Sequence, residues 1–293
     1  MSRPAVLLLL VTIFATLLAG CSPLAVLDRL TPDGTYVASL NLAYGAAPSQ
    51  QLDVYRPAAG APAQPGGYPV VVFLHGGTWN SGARRDYRFV GEALAARGIV
   101  SIVADSRLYP QVRYPDFLTD CAAAMAWAVR EAPRYGGDLR RLHLMGHSSG
   151  AYNAAMLALD PRWLAAEGLA PSVLAGWIGL AGPYDFYPII NPQAQPVFNH
   201  PDYPANSQPI AFASKAAPRS FLGVGGSDGL VNPERNTVQL ADKLRAAGVP
   251  VTLRTYPRAN HHTIIGAFAR PLRWLEPVLD DVAAFVNDIA ARP

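Results

Sequence analysis

Cysteine is nearly absent from this chain: its 293 residues hold two, Cys21 and Cys121. Cys21 closes an apolar leader, which leaves Cys121 with no partner for an intramolecular disulfide and excludes a metal centre built on cysteine. Charge is thin as well. Charged residues make up 15% of the chain and the net charge is only +3, with no lysine- or arginine-rich run, so a nucleic-acid surface is not expected. There is no internal repeat of the kind that builds a solenoid. The longest apolar run, Ala5 to Leu18, falls short of the roughly 20 residues of a membrane span. What the chain does have is apolar bulk. Half of its residues are hydrophobic, enough to bury the core of one large α/β domain.

The first twenty residues stand apart. Arg3 supplies positive charge, the apolar run follows, and Leu18-Ala-Gly-Cys21 closes it. This is the layout of a secretory signal. Its ending resembles a bacterial lipoprotein signal, which implies acylation of Cys21 as the mature N-terminus. Ser22, rather than aspartate, after the cysteine resembles signals sorted to an outer membrane. The expected organisation is a signal over 1–20, a tether over 21–34, and one domain over 35–293 held to the cell envelope, on its periplasmic side, by the lipid.

Within that domain, Thr35 to Tyr44 and Gln51 to Tyr55 alternate apolar and polar residues, the pattern of antiparallel edge strands. Pro69-Val-Val-Val-Phe-Leu-His75 is an unbroken apolar run, as in a strand buried on both faces of a parallel sheet. Helical and strand patterns then alternate: helix 89–97, strand 98–104, helix 115–131, strand 175–180, strand 219–224, helix 233–247, strand 251–256, and a last helix from Leu272. Such alternation predicts a mainly parallel twisted sheet flanked by helices on both faces, with ligands beyond the C-terminal strand ends. The exception is 183–218, which is rich in proline and aromatics and has little periodicity. A loop that long is expected to act as a cap over the site.

Gly146-His-Ser-Ser-Gly150 lies between an apolar strand and an alanine-rich helix. There a Gly-x-Ser-x-Gly turn lifts one serine hydroxyl clear of the backbone, which points to Ser148 as a nucleophile. A second copy of the pattern, Gly225-Gly-Ser-Asp-Gly229, is followed by Leu-Val-Asn-Pro233 and reads as a loop, so Ser227 is set aside. A serine nucleophile needs a base, an acid to orient it, and donors for the oxyanion. His75-Gly-Gly-Thr-Trp79 follows the first parallel strand, and its glycines allow turns that aim N–H groups at a developing charge. The Ser149 N–H is the second donor. His75 is expected to hold that loop, and Trp79 to form pocket wall or core. Asp228 sits in the glycine-rich turn after strand 219–224 and is the expected acid, with Asp185 as the runner-up. The base must come from Asn260-His261-His262, after the last strand; unaccompanied by other ligands, the pair does not suggest a metal. His147, inside the elbow, is expected to pack the turn.

In this order the His-Gly-Gly-x-Trp, Gly-x-Ser-x-Gly, Asp and His elements resemble the α/β-hydrolase superfamily. The likeness is to the branch of carboxylesterases, feruloyl-esterase-like and kynurenine-formamidase-like enzymes, and it covers roughly residues 50–290. The resemblance implies the triad Ser148, Asp228 and His261. His261 is preferred because the family pattern, Asn/Asp-His-aromatic-x-Ile, puts His262 at the aromatic position. It further implies Gly77, Thr78 and Ser149 near the oxyanion, with Trp79, Tyr184 and Phe186 toward the substrate. The implied reaction is ester hydrolysis through an acyl-serine, on a small or medium neutral ester, with no cofactor or metal. Arylformamide cleavage is the alternative, and a catalytically idle binding lipoprotein a more distant one. Where relatives show Asp-Tyr-Arg this chain has Asp105-Ser106-Arg107, with Asp105 and Arg107 expected to pair.

Overall fold

A computed structural model describes residues 23–58 and 64–288. The leader and Cys21 lie outside the described residues. Of the expected tether, Pro23–Arg29 forms a short helix, α1, which sets Leu27 near Gly266. No helix among the described residues is long and apolar enough to cross a membrane.

The chain continues through β1 (Tyr36–Ala43), β2 (Gln51–Pro57), β3 (Tyr68–Leu74), α2 (Arg88–Ala95), β4 (Val100–Ala104), α3 (Asp116–Glu131) and β5 (Gly137–His147). Then come α4 (Ser149–Leu159), α5 (Pro161–Ala165), β6 (Gly176–Leu180), β7 (Ser220–Gly225), α6 (Gln239–Ala246), β8 (Val251–Tyr256), α7 (Thr263–Gly266) and α8 (Val278–Asn287). The strands form one sheet in the order β1-β2-β4-β3-β5-β6-β7-β8. β1 and β2 pair antiparallel at one edge, β2 pairs antiparallel with β4, and every other pairing is parallel. The expected sheet is thus present.

Alternation along β3 explains the two layers. Val70, Val72 and Leu74 pack on one face with Phe117 of α3, Ala151 of α4 and Leu240 of α6. Val71 and Phe73 pack on the other with Phe89 of α2 and Val282 of α8. Each large side chain buried in this way contributes about 1.5–3 kcal/mol. A strand covered on both sides has no polar face, so β3 reads as a continuous apolar run.

Two boundaries depart from the sequence reading. The last helix starts at Val278, not Leu272: residues 270–272 make one 3-10 turn, and Pro277 keeps the residue before it out of helical backbone. The helix expected from 233 opens with a π turn over Glu234–Val238. That turn buries Asn236, whose side-chain oxygen accepts from the Tyr184 and Asp185 amides at 2.7 and 2.9 Å. A π turn at a place where the backbone meets the edge of a cavity is common.

Candidate active site

The elbow is built by steric necessity. Ser148 sits at φ 54°, ψ −123°, a conformation L-residues rarely adopt, with its N–H held by the Leu180 carbonyl at 2.9 Å. A Cβ on Gly146 would lie 2.1 Å from the Gly150 carbonyl oxygen, and one on Gly150 would lie 2.1 Å from that of Leu74. Nothing larger than hydrogen fits at either place, so β5 can turn at once into α4 only with this sequence.

Ser148 Oγ lies 2.9 Å from His261 Nε2. His261 Nδ1 lies 2.9 Å from Asp228 Oδ2. The carboxylate fixes the tautomer: Nδ1–H donates to Asp228, which leaves Nε2 to accept from the serine hydroxyl. The other Asp228 oxygen accepts from the Leu230 and Val231 amides, at 2.9 Å each. Burial opposes ionisation of this carboxyl, but the bond and charge of His261 and the two amides outweigh it and hold its pKa below the ordinary value. His262 points elsewhere and is exposed, and its titration is displaced downward by desolvation and by the neighbouring His261. The turn between them is set by Asn260, whose Oδ1 accepts from the amides of His262 and Thr263.

The loop after β3 packs directly on the elbow. A Cβ on Gly76 would meet the Ser148 Cβ and His147 Nδ1 at 3.1 Å. Gly77, Thr78 and Trp79 follow at φ 133°, 52° and 57°. The Gly77 carbonyl turns into its own loop, accepting from the amides of Asn80 and Ser81 at 3.1 and 3.0 Å. The Ser149 amide belongs to the first turn of α4, where N–H groups lack intrahelical acceptors. His75 is buried, with Nδ1 2.8 Å from the Gly76 carbonyl and Nε2 3.4 Å from Asp105.

Asp105 and Arg107 do not pair with one another. Asp105 binds Arg84, which also reaches Asp53 (3.0 Å) and Gln51 (2.8 Å), while Arg107 binds Asp120 at 2.7 Å. Asp105 faces the loop that carries His75, whereas Arg107 reaches α3 through Asp120.

A cavity of about 370 Å³ opens in front of Ser148 and is lined by Thr78, Ser149, His261, Trp79, Phe186 and the edge of segment 183–195. Trp79 is both wall and core: it is buried, stacks on Phe186 at 6.1 Å, and donates Nε1–H to Asn153 at 2.9 Å. Tyr184, expected in the pocket, is not there. Its ring folds back over β6 against Trp177, into space that a Cβ on Gly182 would occupy at 2.5 Å from the ring. Asp185 stands at the cavity edge and pairs with Arg235 at 3.3 Å, and no histidine contacts it among the described residues. Ser227 is exposed on the β7–α6 turn, its amide held by the Ala259 carbonyl.

Two polar residues of the site escaped the sequence reading, Asn153 and Asn236. The signal for Asn153 was its place in an otherwise apolar helix one turn past Ser148; Asn236 has no local pattern.

His147 does more than fill the turn. Its Nε2 lies 2.8 Å from the His261 carbonyl, so a neutral ring donates there and steadies the backbone that carries the His261 imidazole. Burial pushes its pKa down to about 3, and burial does the same to His143, also to about 3. Both values lie below the unfolded-state value of about 6.5. Between these limits the unfolded chain binds protons that the folded chain refuses, so stability falls as pH drops from about 6.5 toward about 3. Each ring can remove up to about 4 kcal/mol at the bottom of that window. Urea midpoints at pH 7, 5.5 and 4 should decline steadily, and His143→Leu should reduce the slope; equal slopes would show that these rings do not govern acid stability.

Comparison with known proteins gives the same picture of the fold. The sequence profile of the prolyl oligopeptidase family matches residues 116–287, and that of BD-FAE matches 52–172. The chain is 30% identical over 274 residues to the esterase LipC of Mycobacterium tuberculosis (strain ATCC 25618 / H37Rv), covering 87% of this chain and 66% of LipC. It is 26% identical to the isoprenylcysteine alpha-carbonyl methylesterase ICME of Arabidopsis thaliana (84% and 61% covered), and 24% identical to the kynurenine formamidase of Danio rerio (77% and 75%). The chain thus spans a little under two thirds of the length of the two esterases. Among solved structures, a truncated carbohydrate esterase from gut microbiota superposes with a TM-score of 0.71 at 20% identity, covering 87% of this chain and 97% of that one.

Proposed function

The chain belongs to the prolyl oligopeptidase family and has the α/β-hydrolase fold, and from that footing we propose that it is a serine esterase acting on small or medium neutral carboxylic esters through an acyl-serine. One observation carries the reading: a hydroxyl, an imidazole and a carboxylate in line, at 2.9 and 2.9 Å, at the floor of a cavity.

The chemistry follows from those contacts. As Ser148 Oγ attacks the ester carbonyl, its proton passes to His261 Nε2, and Asp228 stabilises the resulting imidazolium. The tetrahedral oxyanion falls to amides of Gly77, Thr78 and Ser149 in this reading, which the packing of the Gly76 backbone against Ser148 supports. Collapse breaks the bond to the alkoxide, to which His261 returns the proton. Water then repeats the sequence on the acyl-serine, releasing the acid and the free hydroxyl.

Amide cleavage is the second reading, favoured by the likeness to kynurenine formamidase. It uses the same groups and differs in demanding protonation of a poorer leaving group. Steady-state rates on p-nitrophenyl butyrate and on an N-aryl formamide separate the two. The esterase reading expects kcat/KM at least about tenfold higher on the ester after correction for intrinsic reactivity. A preference for the formamide would replace it, and a folded sample inert to both would leave a binding protein. Segment 183–218 serves as the cap in this account. The lipoprotein-type leader at 1–20 and Cys21 supports a periplasm-facing, lipid-tethered location, most simply on the outer membrane.

A further inference from the structure

The catalytic cavity has an apolar mouth. Large hydrophobic side chains exposed singly on a surface need no explanation, but two of the most exposed among the described residues, Ile190 at 84% and Leu230 at 68%, line this one opening. Both are held in place. Ile189, its side chain 3% exposed, points inward, and its carbonyl accepts from Gln195 Nε2 at 3.0 Å and from the Tyr203 hydroxyl at 3.2 Å. Ile190 thus follows directly on an anchored, buried residue. Leu230 is fixed through its amide, which donates to the acid of the site, Asp228, at 2.9 Å. The charges at the mouth are already matched: Arg235 spans both oxygens of Asp185 at 3.3 Å and also donates to the Tyr187 carbonyl. A charged substrate group would have to break that arrangement to be recognised.

The cavity itself is small. At roughly 30 Å³ for each non-hydrogen atom, 370 Å³ holds about a dozen, enough for an ester group and about nine further atoms shared between its acid and alcohol sides. Anything longer must leave through the mouth and cross Ile190 and Leu230. We propose that the substrate is an ester bearing an uncharged apolar arm, alkyl or aryl-alkyl and about six to eight carbons long, that exits the catalytic cavity between Ile190 and Leu230. This rests on the esterase reading and narrows it.

Either the acid or the alcohol can carry the arm, so two homologous series are needed: p-nitrophenyl acetate to octanoate, and ethyl to octyl butyrate, each below its critical micelle concentration. A methylene fully removed from water gives about fourfold, and one covered on a single side about twofold. Across four carbons kcat/KM should therefore rise about 16-fold in one of the series. In the Ile190→Ser/Leu230→Ser variant the long-to-short ratio in that same series should drop about 16-fold, and Ile190→Leu/Leu230→Met should restore it. If acetate is hydrolysed but neither ratio rises with length, or the serine variant keeps the wild-type ratio, the apolar arm is refuted while the esterase reading stands. If no ester in either series is hydrolysed, both fall together.

Discussion

Ser148→Ala should lower kcat/KM on p-nitrophenyl butyrate by about 10⁴-fold or more while leaving the fold intact. The magnitude follows from the role: with no oxygen there is no acyl intermediate, and the remaining oxyanion donors and His261 can only assist direct attack by water. The hydroxyl's partner in the structure is His261 Nε2, so its removal leaves a site open to water rather than a buried unpaired group. The thermal midpoint should accordingly stay within about 3 °C of wild type. A companion variant separates chemistry from strain. Ser148 holds φ 54°, ψ −123°, which costs an L-residue on the order of 1–3 kcal/mol and costs glycine little. Ser148→Gly should be equally inactive yet more stable than Ser148→Ala by about 1 kcal/mol in a urea titration. Equal stability of the two would mean that the elbow is not strained, and substantial activity in either would move the nucleophile elsewhere.

The second large effect belongs to Asp228. Its Oδ1 accepts from two amides, so an asparagine there must keep its oxygen in that position and turn its NH₂ toward His261 Nδ1. A donor facing Nδ1 forces the imidazole into the other tautomer, with its proton on Nε2 facing the serine, where a base is needed. Asp228→Asn should therefore cost about 10³- to 10⁴-fold in kcat with KM little changed, the size expected when a Ser-His-Asp triad is held in the wrong tautomer. Asp185→Asn is the control. It loses only the exposed pairing with Arg235, and its kcat should stay within about fivefold of wild type. Because its partners hold the Asp228 carboxyl below the ordinary range, its contribution to stability persists above about pH 4 and is lost only on further acidification. Comparable losses from Asp185→Asn and Asp228→Asn would contradict the assignment.

The residues that sterics dictate were the ones the sequence made legible. Gly146 and Gly150 admit no side chain, the β3 run must be apolar because both of its faces are covered, and the acid and base fall in loops at strand ends, where an open sheet collects its ligands. The choice between His261 and His262 could not come from spacing, since adjacent residues in a loop have no fixed relative direction. What decides it is Asn260, whose side chain ties down the next two amides and turns His262 out to solvent. Tyr184 misled for a related reason. An aromatic after a strand can face the cavity or the core, and here the room left by Gly182 draws it to the core. The Arg84 network and the Asn236 bridge join residues tens of positions apart, through contacts that only the folded chain brings about.

The account rests on Ser148 being the atom that attacks, and covalent capture tests this most directly. Treatment of the folded protein with a fluorophosphonate, followed by intact-mass measurement and peptide mapping, should give a single adduct on the peptide that contains Ser148, formed in step with loss of esterase activity. An adduct on Ser227, or a folded, unlabelled chain that still hydrolyses esters, would contradict it.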